Sequence, residues 1–361
     1  MKVLLFDIRP KKRRVDLYDF DEEYGRFVKC LGEPLIVVRG LRRTGKTSLI
    51  LTGLEETRAP YVLVDFREPC YSRRDLYTVL SRSLSVFASR ISGWGRVFSL
   101  FKSVFSSIRG ISIYGFQVSI SWGKGRPLLT DVFRSLDYLA LKTGLKVAIV
   151  LDEVQKLVGR VKFELLNAIA YAFDYMENIS FILSGSEMGL LYGVLDNPKS
   201  PLYGRAHVTI ETRKFSKKES EEFLIKGFTE LNMRVSGEEI EEAVETLDGI
   251  VGWLTYYGYS KHIGGESLGE IRRKAVELAR EELENFLKQR VSRRRYILVM
   301  KALAKGVKEW GRLKNHLEKA EEKPISERVL YDILATLKKH SIINDKLEYT
   351  DPVVKEAAKN L

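Results

Sequence analysis

The chain has 361 residues, more than a single hydrophobic core usually serves, so two or three domains are expected. Its apolar content of 45% is that of a globular protein, and two cysteines, Cys30 and Cys70, exclude a disulfide framework and a cysteine-based zinc site. The 60 Lys and Arg against 48 Asp and Glu leave a net charge of +12, which suits either polyanionic partners or a solvated charged surface.

In chain order, Met1 to Asp7 carries only a short apolar run before an acid, unlike a secretory signal. No stretch reaches the ~18 uncharged apolar residues of a membrane span, so a cytoplasmic protein without a membrane part is expected. Leu35–Val38 reads as a short buried strand, followed by a Gly-rich turn and a helix opening through Ser48–Leu51. Tyr61–Phe66 is a second strand, introduced by Pro60 and closed near Pro69, and Asp75–Arg90 a helix. From Trp94 to Ile108, Trp94, Val97, Phe98, Phe101, Val104 and Phe105 recur at helical spacing. That pattern predicts an amphipathic helix packed on its own domain, with a membrane or partner surface as the alternative. Ile111–Ile120 alternates around Gly115 and predicts a β-hairpin insertion at about 110–122.

Helices follow at Thr130–Thr143 and Phe163–Met176, and strands at Val147–Leu151, Ile179–Ser184 and His207–Ile210. Continuous apolar strands alternating with helices predict a parallel sheet covered on both faces, and residues 1–213 read as one α/β domain. From Lys214 the texture becomes Glu- and Lys-rich, with helices at Ser216–Glu230, Ser236–Leu247 and Ser267–Arg290. Ser216 with Glu219 and Ser236 with Glu239 have capping-box spacing, so residues 214–290 read as a small helical domain. In residues 291–361, helices at Arg293–Ala304, Glu309–Ala320 and Ser326–His340 precede a predicted hairpin at Ile342–Tyr349, the winged-helix order.

Gly40-Leu41-Arg42-Arg43-Thr44-Gly45-Lys46-Thr47 matches the phosphate-loop pattern G-x-x-x-x-G-K-[ST] at every fixed position, between a strand and a helix. Gly40 and Gly45 allow the tight turn that points successive N–H groups at phosphate oxygens, and the helix opening with Ser48 adds its positive end. Lys46 would reach the β- and γ-phosphates and the Thr47 hydroxyl would ligate Mg²⁺. Asp152 and Glu153 end the third core strand: Asp152 would hold the Mg²⁺ shell and Glu153 would orient or activate the attacking water. Ser184 and Ser186, after the fourth, are candidates for contact with the γ-phosphate or that water. Arg205, before the fifth, could stabilise transition-state charge in its own site or a neighbour's.

Arg39–Leu49, Leu151–Gln155, Leu183–Ser186 and Pro201–Arg205 together resemble the archaeal ATPase family, a STAND-like branch of the AAA+ P-loop proteins. The resemblance covers essentially the whole chain. It implies a five-stranded sheet of order 5-1-4-3-2, a helical lid, a C-terminal winged helix, ATP rather than GTP, and an adenine near Tyr18–Glu22. Asp248–Gly258 resembles the family's helical-domain signature, usually Gly-Gly-x-Pro, but Asp248 and Val251 stand where the first glycine and the proline are expected.

Residues 291–361 hold 16 Lys and Arg against 10 Asp and Glu, a net of +6. On the third helix of this segment Arg328 and Tyr331 could meet a DNA groove, and Lys338 and Lys339 could contact phosphate, although Glu327 and Asp332 would repel it. Double-stranded DNA and a protein contact, including self-association, both remain open as partners. The expected function is a slow Mg²⁺-dependent ATPase that acts as a nucleotide-controlled switch. The alternative is a DNA-binding regulator or mobile-element protein that binds ATP with little turnover.

Overall fold

The computed structural model describes residues 5–67 and 70–361; the expectations for Met1–Leu4 and for the strand end near Pro69 lie outside the described residues. Helix α1 (Asp21–Lys29) leads into β1 (Leu35–Arg39), α2 (Lys46–Glu56), β2 (Tyr61–Asp65), α3 (Arg73–Ile91) and α4 (Gly95–Ser106). The hairpin β3 (Ile111–Tyr114) and β4 (Gln117–Ile120) follows, then α5 (Leu129–Thr143), β5 (Val147–Asp152) and α6 (Gly159–Tyr175). Next come β6 (Ile179–Gly185), α7 (Met188–Leu195) and β7 (Val208–Glu211).

The main sheet is parallel, with order β7-β1-β6-β5-β2. Leaving out the inserted hairpin, this is 5-1-4-3-2, as the resemblance implied. β5 and β6 are buried along their whole length, which is why their sequences are unbroken apolar runs rather than alternating ones. Alternate residues of the strands serve two cores. Ile36, Val38, Val150 and Ile182 face one, while Val37, Ile149, Phe181 and Leu183 face the other. The second core also contains α3, α4, the hairpin, α5 and α6. Phe101 and Phe105 of α4 are fully buried there, so that helix packs on its own unit as expected.

The first core continues into the helices that follow the sheet: α8 (Lys217–Glu230), α9 (Gly237–Leu247), α10 (Val251–Gly264) and α11 (Leu268–Lys288). Ser216 and Glu219 form the capping box that their spacing predicted, a local gain of about 1 kcal/mol. Ser236 caps α9, but the Glu239 carboxylate does not return to it. It accepts instead from Tyr257 Oη at 2.8 Å and Lys261 Nζ at 2.6 Å, because a long-range partner outcompetes the local one.

Helices α12 (Arg293–Ala304), α13 (Trp310–Glu321) and α14 (Glu327–Lys339) match the expected triad within a residue or two. The hairpin predicted after them is reduced to one bridge, Ile343 to Tyr349. The chain then forms α15 (Pro352–Lys359), capped by Asp351, which the sequence reading missed.

Candidate functional site

The phosphate loop joins β1 to α2 along a backbone that only some residues tolerate. Gly40 has φ +155° and Gly45 φ +86°; a Cβ on Gly40 would lie 2.1 Å from Thr212 Oγ1 and 2.6 Å from its carbonyl oxygen. Thr212 follows β7 and holds the loop from beneath through a 2.7 Å bond between its hydroxyl and that of Thr44. Lys46 opens α2, nearly buried, with Nζ donating to the carbonyls of Gly40 at 3.1 Å and Leu41 at 2.6 Å. Burial pushes its ammonium down to about 8, against the opposing pull of Glu153 and Asp152.

Both carboxylates arrive at the end of β5, beside hydroxyls delivered by the neighbouring β6. Asp152 is 4% exposed and accepts from Thr47 Oγ1 at 3.2 Å and from Ser184 Oγ. The next residue, Glu153, is held at φ +55°, a left-handed conformation that turns it away from the strand direction. Its carboxylate accepts from Ser186 Oγ at 3.0 Å and from Gln155 Nε2. A hydroxyl and a carboxylate a few ångströms apart are a hard-oxygen donor pair that fits Mg²⁺, which keeps water and phosphate as its remaining ligands. Among the described residues no group of three or more His, Cys, Asp or Glu forms a fuller metal cage.

A cavity of about 410 Å³ opens over these groups. Arg42, Arg43, Gly45, Lys46, Thr47, Ser48, Asp152, Glu153 and Ser186 line it; Gly40, Leu41, Thr44 and Ser184 do not. Ser184 is fully buried behind Asp152 and acts on the carboxylate rather than reaching the cavity. Arg205 stands apart: its guanidinium is paired with Asp174 of α6 at 2.6 Å and bonded to the Pro201 carbonyl.

The far wall comes from two places. The N-terminal segment contributes Tyr18 and Phe20 from the stretch assigned to the adenine, and also Leu5 and residues 7–11, anchored where the Lys11 N–H donates to Ser48 Oγ at 3.1 Å. The opposite wall is Val251, Gly252 and Trp253 at the start of α10. Val251, where the resemblance expects proline, touches the space beside Gly45, and Asp248 supplies the left-handed turn (φ +51°) expected of glycine.

Several of these participants escaped the sequence reading. Thr212 belongs to no short motif, and Gln155 and Trp253, although they lie in the family-like stretches Leu151–Gln155 and Asp248–Gly258, have side chains that periodicity cannot orient. Arg43 was named only as a loop residue. It forks onto Glu282 of α11 at 2.5 and 3.1 Å, and its guanidinium lies 3.9 Å from the Trp253 ring centroid.

The winged helix reaches the same region. Trp253 Nε1 donates to Asp351 at 2.8 Å, and His340 Nδ1 lies 3.4 Å from Glu187 Oε2, one residue beyond Ser186. The end of α14 therefore docks on the sheet unit. Lys339 meets Gly189 backbone to backbone and Lys338 pairs with Asp345 at 3.2 Å, whereas Arg328 and Tyr331 stand exposed. The four residues suggested for DNA thus fall into two differently placed pairs.

The family model for ATPase domains found predominantly in Archaea matches residues 28–257, and that of the MCM C-terminal winged helix-turn-helix domain matches residues 290–350. Among solved structures, the Walker-type ATPase of Pyrococcus abyssi is similar over 99% of this chain and 100% of its own, at 34% identity and a TM-score of 0.79. The Aeropyrum pernix ORC2 protein, solved as ADPNP–ADP complexes, covers 99% of this chain and 96% of its own, at 14% identity and a TM-score of 0.59. That second likeness is one of fold. No curated protein matches the chain. Among the described residues no helix is long and apolar enough to cross a membrane.

Proposed function

The chain belongs to the family of ATPase domains found predominantly in Archaea and is an ATPase, and from that premise we propose that it works as a Mg²⁺-dependent, ATP-driven conformational switch. In this reading the loop from Gly40 to Thr47 takes the phosphates, and Lys46 exchanges the Gly40 and Leu41 carbonyls for phosphate oxygens. Thr47 and Asp152 hold Mg²⁺, which when bound offsets charge on the β- and γ-phosphates. Glu153, aimed by Ser186 and Gln155, accepts the proton of the attacking water.

One observation carries the switch. Ser186 touches Glu153, and the very next residue, Glu187, touches His340 of the winged helix. A change at the γ-phosphate that moves Glu153 or Ser186 is thereby relayed to the docked end of α14 through one peptide unit. The moving parts are residues 214–290 and 291–361, whose shared helix contacts favour motion as one body.

Glu153→Gln is the test. ATP turnover should fall about 10²–10⁴-fold, the usual contribution of a general base, with ATP affinity kept within a few-fold. Unchanged turnover would remove Glu153 from the mechanism; wild-type protein that binds Mg·ATP without hydrolysis would leave only the nucleotide-binding half.

A second reading, duplex DNA bound by the winged helix, is favoured by the exposure of Arg328 and Tyr331 on α14. Arg328→Glu should then weaken retention of a DNA duplex, and equal retention would count against it.

A further inference from the structure

Between Asp75 and Asp131 the sequence contains seven Lys or Arg and no Asp or Glu, seven cations minus no anions, or +7. This stretch forms most of α3, then α4 and the β3–β4 hairpin. Four large aromatic side chains in it are exposed: Tyr114 at 89%, Trp122 at 51%, Phe116 at 49% and Trp94 at 40%.

The fold does not require those rings. Ile111, Val118 and Ile120 form the hairpin's inner side and join the core with α3. The outer side carries Ser112, Tyr114, Gln117 and Ser119, paired in register and without a charge of either sign. Cations gather at the aromatic rings instead. The Arg74 guanidinium lies 5.5 Å from the Trp122 centroid, and Lys102 Nζ 4.7 Å from that of Phe98, whose ring is 5.4 Å from Phe116. Among the described residues the exposed Arg96, Arg109 and Lys124 have no ion-pair partner.

Exposed rings interleaved with cations, of which Arg90 and Arg126 face Glu55 and Glu164 while Arg96, Arg109 and Lys124 do not face a carboxylate among the described residues, match a ligand that alternates flat apolar faces with negative charge. We propose that this insertion binds single-stranded nucleic acid, with bases stacking on Tyr114 and Trp122 and phosphates meeting Arg96, Arg109 and Lys124. A duplex keeps its base faces stacked inside and offers those rings nothing. An anionic bilayer fits less well, because the apolar side of α4 is already spent on Phe101 and Phe105 in the core. The insertion packs in the core on one face of the sheet, and the winged helix in the core on the other, so the two surfaces can be tested separately.

The experiment is fluorescence anisotropy of a labelled oligothymidylate with the full chain. Wild type should bind, more weakly as salt rises. Tyr114→Ala with Trp122→Ala should raise Kd at least about tenfold, since each base–ring stack is a substantial part of such affinity. Arg109→Glu with Lys124→Glu should also raise Kd and flatten the salt dependence. Both double variants should hydrolyse ATP as wild type does, which excludes misfolding, and Arg328→Glu should leave oligothymidylate binding unchanged. No binding by wild type, equal affinity in the aromatic double variant, or a preference for duplex or for phosphatidylglycerol vesicles would each overturn the proposal.

Discussion

The winged helix meets the rest of the chain through two contacts of unlike character. Against α8–α11 it is continuous with one hydrophobic core: Leu283 and Leu287 of α11, Val299 and Leu303 of α12, and Val353 and Ala357 of α15 are all buried in the same cluster. Against the sheet unit it makes a thin polar seam. Met188 N–H donates to Ser341 Oγ at 2.9 Å, His340 faces Glu187, and Gly189 lets the backbone of Lys339 approach. Apolar burial scales with area and has no direction, so the first contact holds under any small rotation. A seam of a few hydrogen bonds depends on geometry, and each adds about 1 kcal/mol, so a small displacement is enough to break it. The difference marks α11, α12 and α15 as one packed body, and Glu187–Gly189 as the weaker of the two places where the winged helix is attached.

The largest effect should come from cutting the apolar contact. Leu287→Ala removes a fully buried side chain from the shared core and should cost about 2–5 kcal/mol. In thermal unfolding the loss should appear in α11, α12 and α15 together when followed by hydrogen exchange. If α15 kept its protection while α11 lost it, the single-body description would be wrong.

Trp253→Phe acts at the edge of that contact and should cost less. It keeps a ring beneath Arg43 and removes the indole N–H, leaving the buried Asp351 carboxylate one donor short, a loss of about 1–3 kcal/mol. Burial already holds Asp351 above its ordinary value of 3.8, with the Trp253 bond pulling it back down. A native carboxyl with a raised pKa binds a proton that the unfolded chain releases, so its contribution to stability falls as pH rises through that window and recovers on acidification. Losing the indole donor should push Asp351 higher still. The stability gap between variant and wild type should therefore narrow as pH falls towards 3.8; a gap independent of pH would mean that Asp351 is not the group affected.

The sequence disclosed these regions unequally, for physical reasons. The phosphate loop was legible because glycine conformation, lysine charge and a hydroxyl must stand at fixed spacing, so Gly40, Gly45, Lys46 and Thr47 leave a local signature. Asp152 and Glu153 were legible because a buried strand ending in two acids is unusual. The sheet order came from the resemblance, since parallel strands keep no record of their neighbours. What stayed hidden was tertiary: Arg43 to Trp253 to Asp351 spans three elements, Ser184 turned inward to a carboxylate, and α15 packs on α11 through residues such as Val353 and Ala357 whose partners lie some seventy residues away. Arg205 shows the converse. A residue type in a family-like position was picked out, yet its side chain is engaged by Asp174.

The smallest change in stability, and the sharpest separation of the two contacts, should come from Gly189→Ala. The added Cβ would lie 2.6 Å from Lys339 Cα, backbone that cannot swing aside, so α14 must withdraw from α7. Because the seam is polar and thin, global stability should change by less than about 1 kcal/mol, the scale of a hydrogen bond or two. Hydrogen exchange should nevertheless rise at residues 187–189 and 339–341 while α11 and α15 keep wild-type protection. Exposure of the whole of α12–α15, or loss of α11 protection as well, would show that the polar seam holds the fold rather than closing a joint. Wild-type exchange throughout would show that α14 absorbs the clash without leaving, and that Glu187 and His340 stay together whatever happens at Gly189.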